Sequence, residues 1–543
     1  MPGWRSGRSA SVQLFVAALC ALCPLVGTSS RASAMTGAGA ADASTLDRSA
    51  RSVGADAERR ALYEEFLRRY GTPRESGGDT RAETGTALAV HSSRAIPGFA
   101  RKYGLPCSAC HTSWPQLNNF GQVFRDNGYR LKNERDSPID HAPGYWPVAA
   151  RITPQFRVDR TTNQPVDATA GDPASGHVGR TITQAGFDLS GLDLLMLGTL
   201  SDNISFGLIP SSDNQGSFHL EAAYVRFNDL LNSNWVNLKV GKFELDNLVS
   251  EKRELLLSGN GGFYQSYHFA PAGVLVPPAD STQTAMPLRA GTSFGLGDNQ
   301  LGAEFSGHSV NSYTRFSVGL FSSTDGQVGL PQGSGFDAAV ALSQAFEAGD
   351  LGLERIGVFG YRGSRPTKFS TYAGQSVPGT GDDNKSFYRA GVSGDFYLGN
   401  LELLPLFMRA SDDRALAIAG GGLPLSPIPV GAQSPVWNAG FLEAHYFVGH
   451  QFVVMGRREA IRMTTQTLPD FPSDLGNIDG TAVGFRWNPF MLSRTGLALH
   501  GEYAWTNTTG LPPLSGLGSG VPPIGLETRV KSSSIYLALD FAF

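Results

Sequence analysis

From Val148 to the C-terminus, segments of about ten residues alternate apolar and polar side chains, with clusters of Gly, Asn, Asp and Pro between them. A period of two puts successive side chains on opposite faces of a strand. In the last segment, Ser534 to Phe543, every odd position from Ile535 is large and apolar, while the even positions are Tyr536, Ala538, Asp540 and Ala542. One segment earlier, Leu497, Leu499, Tyr503 and Trp505 oppose Ala498, His500, Glu502 and Ala504. The same alternation sets His219 and Glu221 against Phe218, Leu220, Ala222 and Tyr224, and Arg389, Ser393 and Asp395 against Tyr388, Val392 and Phe396.

A soluble β-sandwich also alternates. Three features favour a barrel in a membrane: an export signal, the number of segments, and an aromatic final residue, Phe543, as in the recognition signal of outer-membrane barrels. No run of some 18 apolar residues follows residue 34, so any crossing must be made by strands. The expected fold class is mainly β. A barrel of about 16 strands over residues 146–543 would present one face to lipid and the other to a wet lumen. The segment from Asp246 to Met286 reads as a long loop, as do Thr367 to Asn384, Ile418 to Pro435 and Thr506 to Pro523, all three on the extracellular side.

Residues 1–34 have the form of a Sec-type signal: Arg5 and Arg8, an apolar run from Val12 to Val26, then Ala32-Ser33-Ala34. The competing anchor reading meets a run too short to span and interrupted by Pro24. Removing this segment deletes three arginines and no acids, which moves the formal net charge from −4 to −7. A mildly acidic chain makes no case for nucleic acid. Residues 35–90 read as linker, except that Asp56 to Tyr70 has the pattern of a short amphipathic helix, either simply solvated or docking a periplasmic partner.

Residues 91–145 read as a separate module built on Cys107-Ser108-Ala109-Cys110-His111. The C-x-x-C-H spacing is that of c-type haem attachment: two thiols for the vinyl groups and a histidine for iron. Of the four cysteines, Cys20 and Cys23 lie in the signal, so the exported chain keeps only the motif's pair. A redox disulfide beside an unrelated histidine is the alternative. His111 needs an acceptor for its other ring nitrogen, and the Pro115 carbonyl is the candidate. For the sixth ligand, no methionine lies between Met35 and Met196. His91 and His141 are the local candidates; a barrel-wall residue or a water-bound position is the alternative. Pro97 to Tyr103 is expected to be helical and to stop at Gly104. Trp114, Leu117, Phe120, Val123 and Phe124 recur at helical spacing, and Gly128 ends that run.

The stretch Ile96 to Gly104, the motif itself, Pro115 to Gly121, and Phe124 to Tyr129 closely resemble the cytochrome module of the fused outer-membrane monohaem cytochrome–porins, the iron oxidases of iron-oxidising bacteria and their relatives. The resemblance is specific over about 35 residues and architectural beyond them. It implies one haem c, bound by Cys107 and Cys110 and ligated by His111, in a module plugging the lumen. It also implies electron flow from extracellular Fe(II) to periplasmic c-type cytochromes. Independently, an apolar band is about 25 Å tall. One haem is shorter than that, so it links two compartments only if held within the wall.

Nothing else in the sequence has the form of a catalytic site. Glu443 with His445, and His500 with Glu502, are two-apart pairs expected on a polar lumen face, with metal or proton traffic as the sharper alternative. Three functions are open at this point: an electron conduit, a transport porin with a haem-containing gate, and a haem-based redox or ligand sensor.

Overall fold

The computed structural model describes residues 98–132, 136, 147–167, 177–212, 217–246, 255–259, 275–276, 286–287, 294–329, 335–366, 369–372, 375–378, 384–418, 431–449, 451–467, 469, 473–492, 496–509 and 529–542. All lie in one compact unit, Arg59–Phe543. The signal segment, the helix expected at 56–70, His91, His141 and Phe543 fall outside the described residues.

The described residues form a closed antiparallel barrel of 16 strands. In chain order these are β1 Val148–Asp167, β2 His177–Ser201, β3 Ile204–Ser212, β4 Phe218–Phe227 and β5 Asn237–Phe243. Then come β6 Gln300–His308, β7 Thr314–Ser322, β8 Phe336–Glu347, β9 Leu353–Pro366, β10 Asn384–Leu398 and β11 Leu401–Asp412. The last are β12 Val436–Phe447, β13 Phe452–Thr465, β14 Ile478–Trp487, β15 Gly496–Thr509 and β16 Arg529–Ala542. β16 closes on β1, with Ala542 opposite Arg151 and Ser532 opposite Thr161. Closure leaves no unpaired edge, which a lipid-embedded sheet requires.

Short turns (202–203, 309–313, 399–400, 448–451) gather at one end together with the start of β1 and the end of β16. The long connections gather at the other. In outer-membrane barrels the short-turn end is periplasmic.

The expected alternation is present in β16, where Ile535 is 53% exposed and Tyr536 only 8%. Ala498, His500, Glu502 and Ala504 likewise point inward, and Tyr503 and Trp505 outward. Other expectations fail. In β4, Pro210 pairs with Leu220 but Ile209 with Ala222, so Glu221 is an extra residue. That bulge reverses the faces, and Tyr224 turns into the lumen, opposite in orientation to Phe218 and Leu220. β15 also runs on to Thr509, taking in residues expected to be loop, and the 367–384 connection contains a small hairpin, Phe369–Tyr372 with Gln375–Pro378.

The lumen is not uniformly wet. Phe243, Phe321, Tyr361, Phe387, Met408 and Trp437 point inward and pack with Leu245, Leu256, Phe294 and Leu296 from the connection between β5 and β6. At the short-turn end the barrel receives an insert made of helix α1 (Gly98–Tyr103), the motif, and helix α2 (Asn119–Asp126). Gly104, at φ +69°, ends α1. Asn118 caps α2, its side-chain oxygen accepting from Gly121 N at 2.9 Å. Trp114 and Leu117 are not helical as expected. Pro115 lacks an N–H and disfavours helix at the residue before it, so His111–Ser113 and Gln116–Leu117 pair as a short hairpin instead.

Candidate functional site

Cys107–Ala109 is a single tight turn, closed by Cys110 N donating to Cys107 O at 3.2 Å. The turn is clamped from both sides. Ser108 N donates to Met491 O of the β14–β15 turn at 3.0 Å, and the Asn118 side-chain nitrogen donates to Ala109 O at 3.1 Å. Cys107 is buried and Cys110 partly so, and neither forms a disulfide. Burial pushes the Cys107 thiol up to about 11 and, aided by Cys107, the Cys110 thiol up to about 12.

His111 Nδ1 donates to Pro115 O at 2.9 Å, the contact expected from the sequence. A carbonyl can only accept, so this nitrogen carries the proton and Nε2 keeps its lone pair. Burial lowers the His111 pKa to about 4 against the hydrogen bonds to Pro115 and Gln116, which keeps the ring neutral near pH 7. Trp114 packs edge-on against it, with ring centroids 4.8 Å apart. Two thiols on one turn beside a neutral, oriented imidazole are the donor set a c-type haem takes. The residues present fit the group. Gly121 is obligatory here, since a Cβ on it would lie 2.2 Å from Cys110 O.

Strand residues and periplasmic turns hold the insert. Arg130 and Lys132 meet Asp229 at 2.7 and 2.9 Å. Arg315 meets Asp126 at 2.9 Å, and Arg226 donates to Asp126 O at 2.7 Å. Arg486 donates to Trp114 O, and Tyr129 and Tyr224 share a hydroxyl contact at 2.9 Å. From Tyr224 the rings of Phe243, Phe321, Tyr361, Phe294 and Phe387 follow one another at centroid spacings of 4.1 to 6.5 Å toward the long-loop end.

Both histidine–glutamate pairs face inward as expected, but as buried clusters rather than a water-washed lining. His445 Nε2 lies 2.8 Å from Glu443 Oε1, and His500 Nε2 lies 3.0 Å from Glu502 Oε2. Sequence reasoning missed the partners that complete them. Gln116 Nε2 donates to both oxygens of Glu402 at 2.7 Å, and Glu402 Oε2 lies 2.6 Å from His445 Nδ1. The backbone nitrogens of Leu257 and Ser258 donate to Glu443 at 2.7 and 3.1 Å. These links join residues hundreds apart in the chain, and no local pattern announces them. Among the described residues no group of three or more His, Cys, Asp or Glu side chains is arranged to hold a metal ion.

The barrel's exterior decides where it resides. Ile535, Leu537, Leu539, Val454, Val392 and Phe407 are exposed between two aromatic rims. Trp235, Tyr446 and Trp487 stand outward near the short-turn end; Tyr388, Tyr503 and Trp505 stand outward near the other. An apolar band with aromatic girdles on a closed strand cylinder is built for lipid. The chain is an outer-membrane β-barrel.

No family model matches the chain, and no curated protein matches it. Among solved structures, an anion-selective porin from Comamonas acidovorans is 13% identical, with a TM-score of 0.43, over 73% of this chain and 98% of that one. OmpT, an outer-membrane protein of Vibrio cholerae, is 10% identical, with a TM-score of 0.38, over 73% and 98%. OmpF of Salmonella typhi, in complex with daunomycin, is 8% identical, with a TM-score of 0.38, over 73% and 97%. Likenesses this distant carry no argument about function.

Proposed function

We propose that this barrel is an electron conduit, with one haem c attached through Cys107 and Cys110 and ligated by His111. The observation that carries the reading is the His111–Pro115 contact within a C-x-x-C-H turn that is itself bonded to the barrel at Met491. When bound, the haem supplies a one-electron Fe(III)/Fe(II) couple. The chain's own residues hold and orient it. Pro115 fixes the His111 tautomer, Asn118 and Met491 hold the attachment turn, and Trp114 covers the imidazole.

The turn sits at the periplasmic mouth, within reach of a periplasmic c-type cytochrome or similar carrier. An extracellular one-electron donor, with Fe(II) as the candidate, delivers from the long-loop side. His91 and His141 are the candidates for the sixth iron ligand. A filled lumen favours the conduit over the solute-porin reading: α2 and residues 255–259 occupy it and are bonded to its wall.

The test is the detergent-purified protein mixed with Fe(II) and with an oxidised periplasmic cytochrome. A haem spectrum that Fe(II) converts to the reduced form and the oxidised cytochrome returns to the oxidised form is expected, together with loss of covalent haem in Cys107→Ser. A colourless wild-type protein, or a haem that exchanges electrons with neither partner, refutes the reading.

A further inference from the structure

Four adjacent strands, β11 to β14, carry a cluster of charge on the face turned away from the lumen. Arg409 of β11, Arg458 and Arg462 of β13 and Asp479 of β14 are the charged residues at the outward positions of these strands. Cross-strand register brings them together. Arg409, Asn438 and Arg462 form one row over β11, β12 and β13. Arg458 starts a second row that runs through Thr481 to Trp505 of the outer aromatic rim. Arg458 and Arg462 both donate to the same Asp479 oxygen, Oδ1, at 2.5 and 2.6 Å. Arg409 donates to a neutral partner, Asn438 Oδ1, at 3.3 Å. The guanidiniums nevertheless stay open to the outside, with the Arg458 side chain 56% exposed and that of Arg462 46%.

Three guanidiniums against one carboxylate leave a net charge of +2 on a surface that faces lipid. Arg409 and Arg462 each lie three residues from the long-loop end of their strands. Toward the short-turn end the outward residues are apolar, with Phe407, Leu442, Val454 and Val483 exposed. A charge on the lipid face of a barrel is costly at the midplane and tolerated toward an interface. The cluster is therefore placed for the headgroups of the outer leaflet. A guanidinium presents a planar fork of N–H donors that matches two oxygens of one phosphate. Asn438, Thr464 and Thr481 set neutral hydrogen-bonding groups among the arginines. A matching ligand has phosphates at the interface, hydroxyls beside them and acyl chains beneath.

We propose that the outward face of β11 to β14 is a docking surface for a phosphorylated glycolipid of the outer leaflet, a lipid A-type disaccharide carrying two phosphates. Arg409, Arg458 and Arg462 take the phosphates, and Asn438, Thr464 and Thr481 meet the sugar hydroxyls. The acyl chains cover Phe407, Leu442, Val454 and Val483. Asp479 positions Arg458 and Arg462 side by side. The inference rests on the barrel and is independent of the haem reading.

The test titrates the full-length chain in dodecyl maltoside with fluorescently labelled diphosphoryl lipid A, read by fluorescence anisotropy. Saturable binding is expected, weakened about tenfold or more in Arg458→Gln/Arg462→Gln and about threefold in Arg409→Gln, since charge-assisted hydrogen bonds are lost. Arg362 of β9 faces outward away from the cluster, with Ala338 and Tyr388 as cross-strand neighbours. Arg362→Gln should bind within about twofold of wild type, as separated exposed charges couple weakly. Lipid A stripped of both phosphates should bind the wild-type chain about tenfold more weakly or worse, and so should phosphatidylglycerol. Heat-modifiable migration on SDS gels reports folding of each variant. If the double variant does not fold, Arg409→Gln and the stripped lipid decide. No binding of diphosphoryl lipid A, equal binding of the stripped lipid, or wild-type affinity in the folded arginine variants overturns the inference. Phosphatidylglycerol bound as tightly as lipid A overturns the glycolipid assignment.

Discussion

Asp229 is the residue on which the insert's attachment to the periplasmic rim can be tested most directly. It lies in the turn between β4 and β5 and receives Arg130 at 2.7 Å and Lys132 at 2.9 Å, with side-chain exposures of 15%, 8% and 11%. Burial pushes its carboxyl upward, but Lys132 and then Arg130 hold it below the usual carboxylate range. Replacing Asp229 by Ala removes two charge-assisted hydrogen bonds. Each is worth about 1.5–3 kcal/mol when no substitute exists. Here substitutes exist, because Arg130 keeps Asn203 Oδ1 at 3.0 Å and Asn127 O at 2.8 Å, and Lys132 keeps Asn234 Oδ1 at 2.8 Å. The net loss is therefore about 2–3 kcal/mol, or roughly 30- to 150-fold in the docking equilibrium. Amide hydrogen exchange of α2 and the following turn reads it. The backbone N–H groups of Gln122, Asn127 and Tyr129 should exchange faster by that factor, while those of β11 to β13 stay unchanged. Because the Asp229 pKa is depressed, its contribution is complete above the unfolded value near 3.9 and is lost as pH falls through the folded value. Exchange in α2 within threefold of wild type at pH 7 would refute this account of what anchors the insert.

A charge on the lipid face offers an independent check. Leu537 points outward five residues from Ala542, about 13 Å along the barrel axis for strands tilted near 40° and so close to the bilayer midplane. Leu537→Arg should destabilise the barrel in lipid vesicles by about 2–4 kcal/mol in a guanidinium titration, and Ser533→Arg, nearer the rim, by about 0–1 kcal/mol. Equal effects would contradict the assigned depth. Gly121→Ala should force α2 away from Cys110, lowering covalent haem per mole of protein severalfold in a haem stain, whereas wild-type haem content would deny that close approach.

Much of the architecture was legible because a barrel writes its geometry locally. Each residue of β16 declares its face through its own polarity, and strict alternation survives wherever the strand is regular. Legibility failed where one residue breaks the count, as at Glu221, because an unpaired residue changes phase without altering composition. It failed again at Trp114 and Leu117, whose spacing fits a helix that Pro115 interrupts. The His111–Pro115 contact was readable because it spans four residues; the Gln116–Glu402 contact was not, because it spans 286.

By itself the sequence determined the period-two strands and the His111–Pro115 contact, since both depend on neighbours a few positions apart. Only the tertiary structure decided which wall residues meet the insert, that the lumen is packed, and that Glu402, His445 and Glu443 meet in one buried cluster. Cross-strand register sets those neighbours, and register is a property of the closed sheet rather than of any single strand.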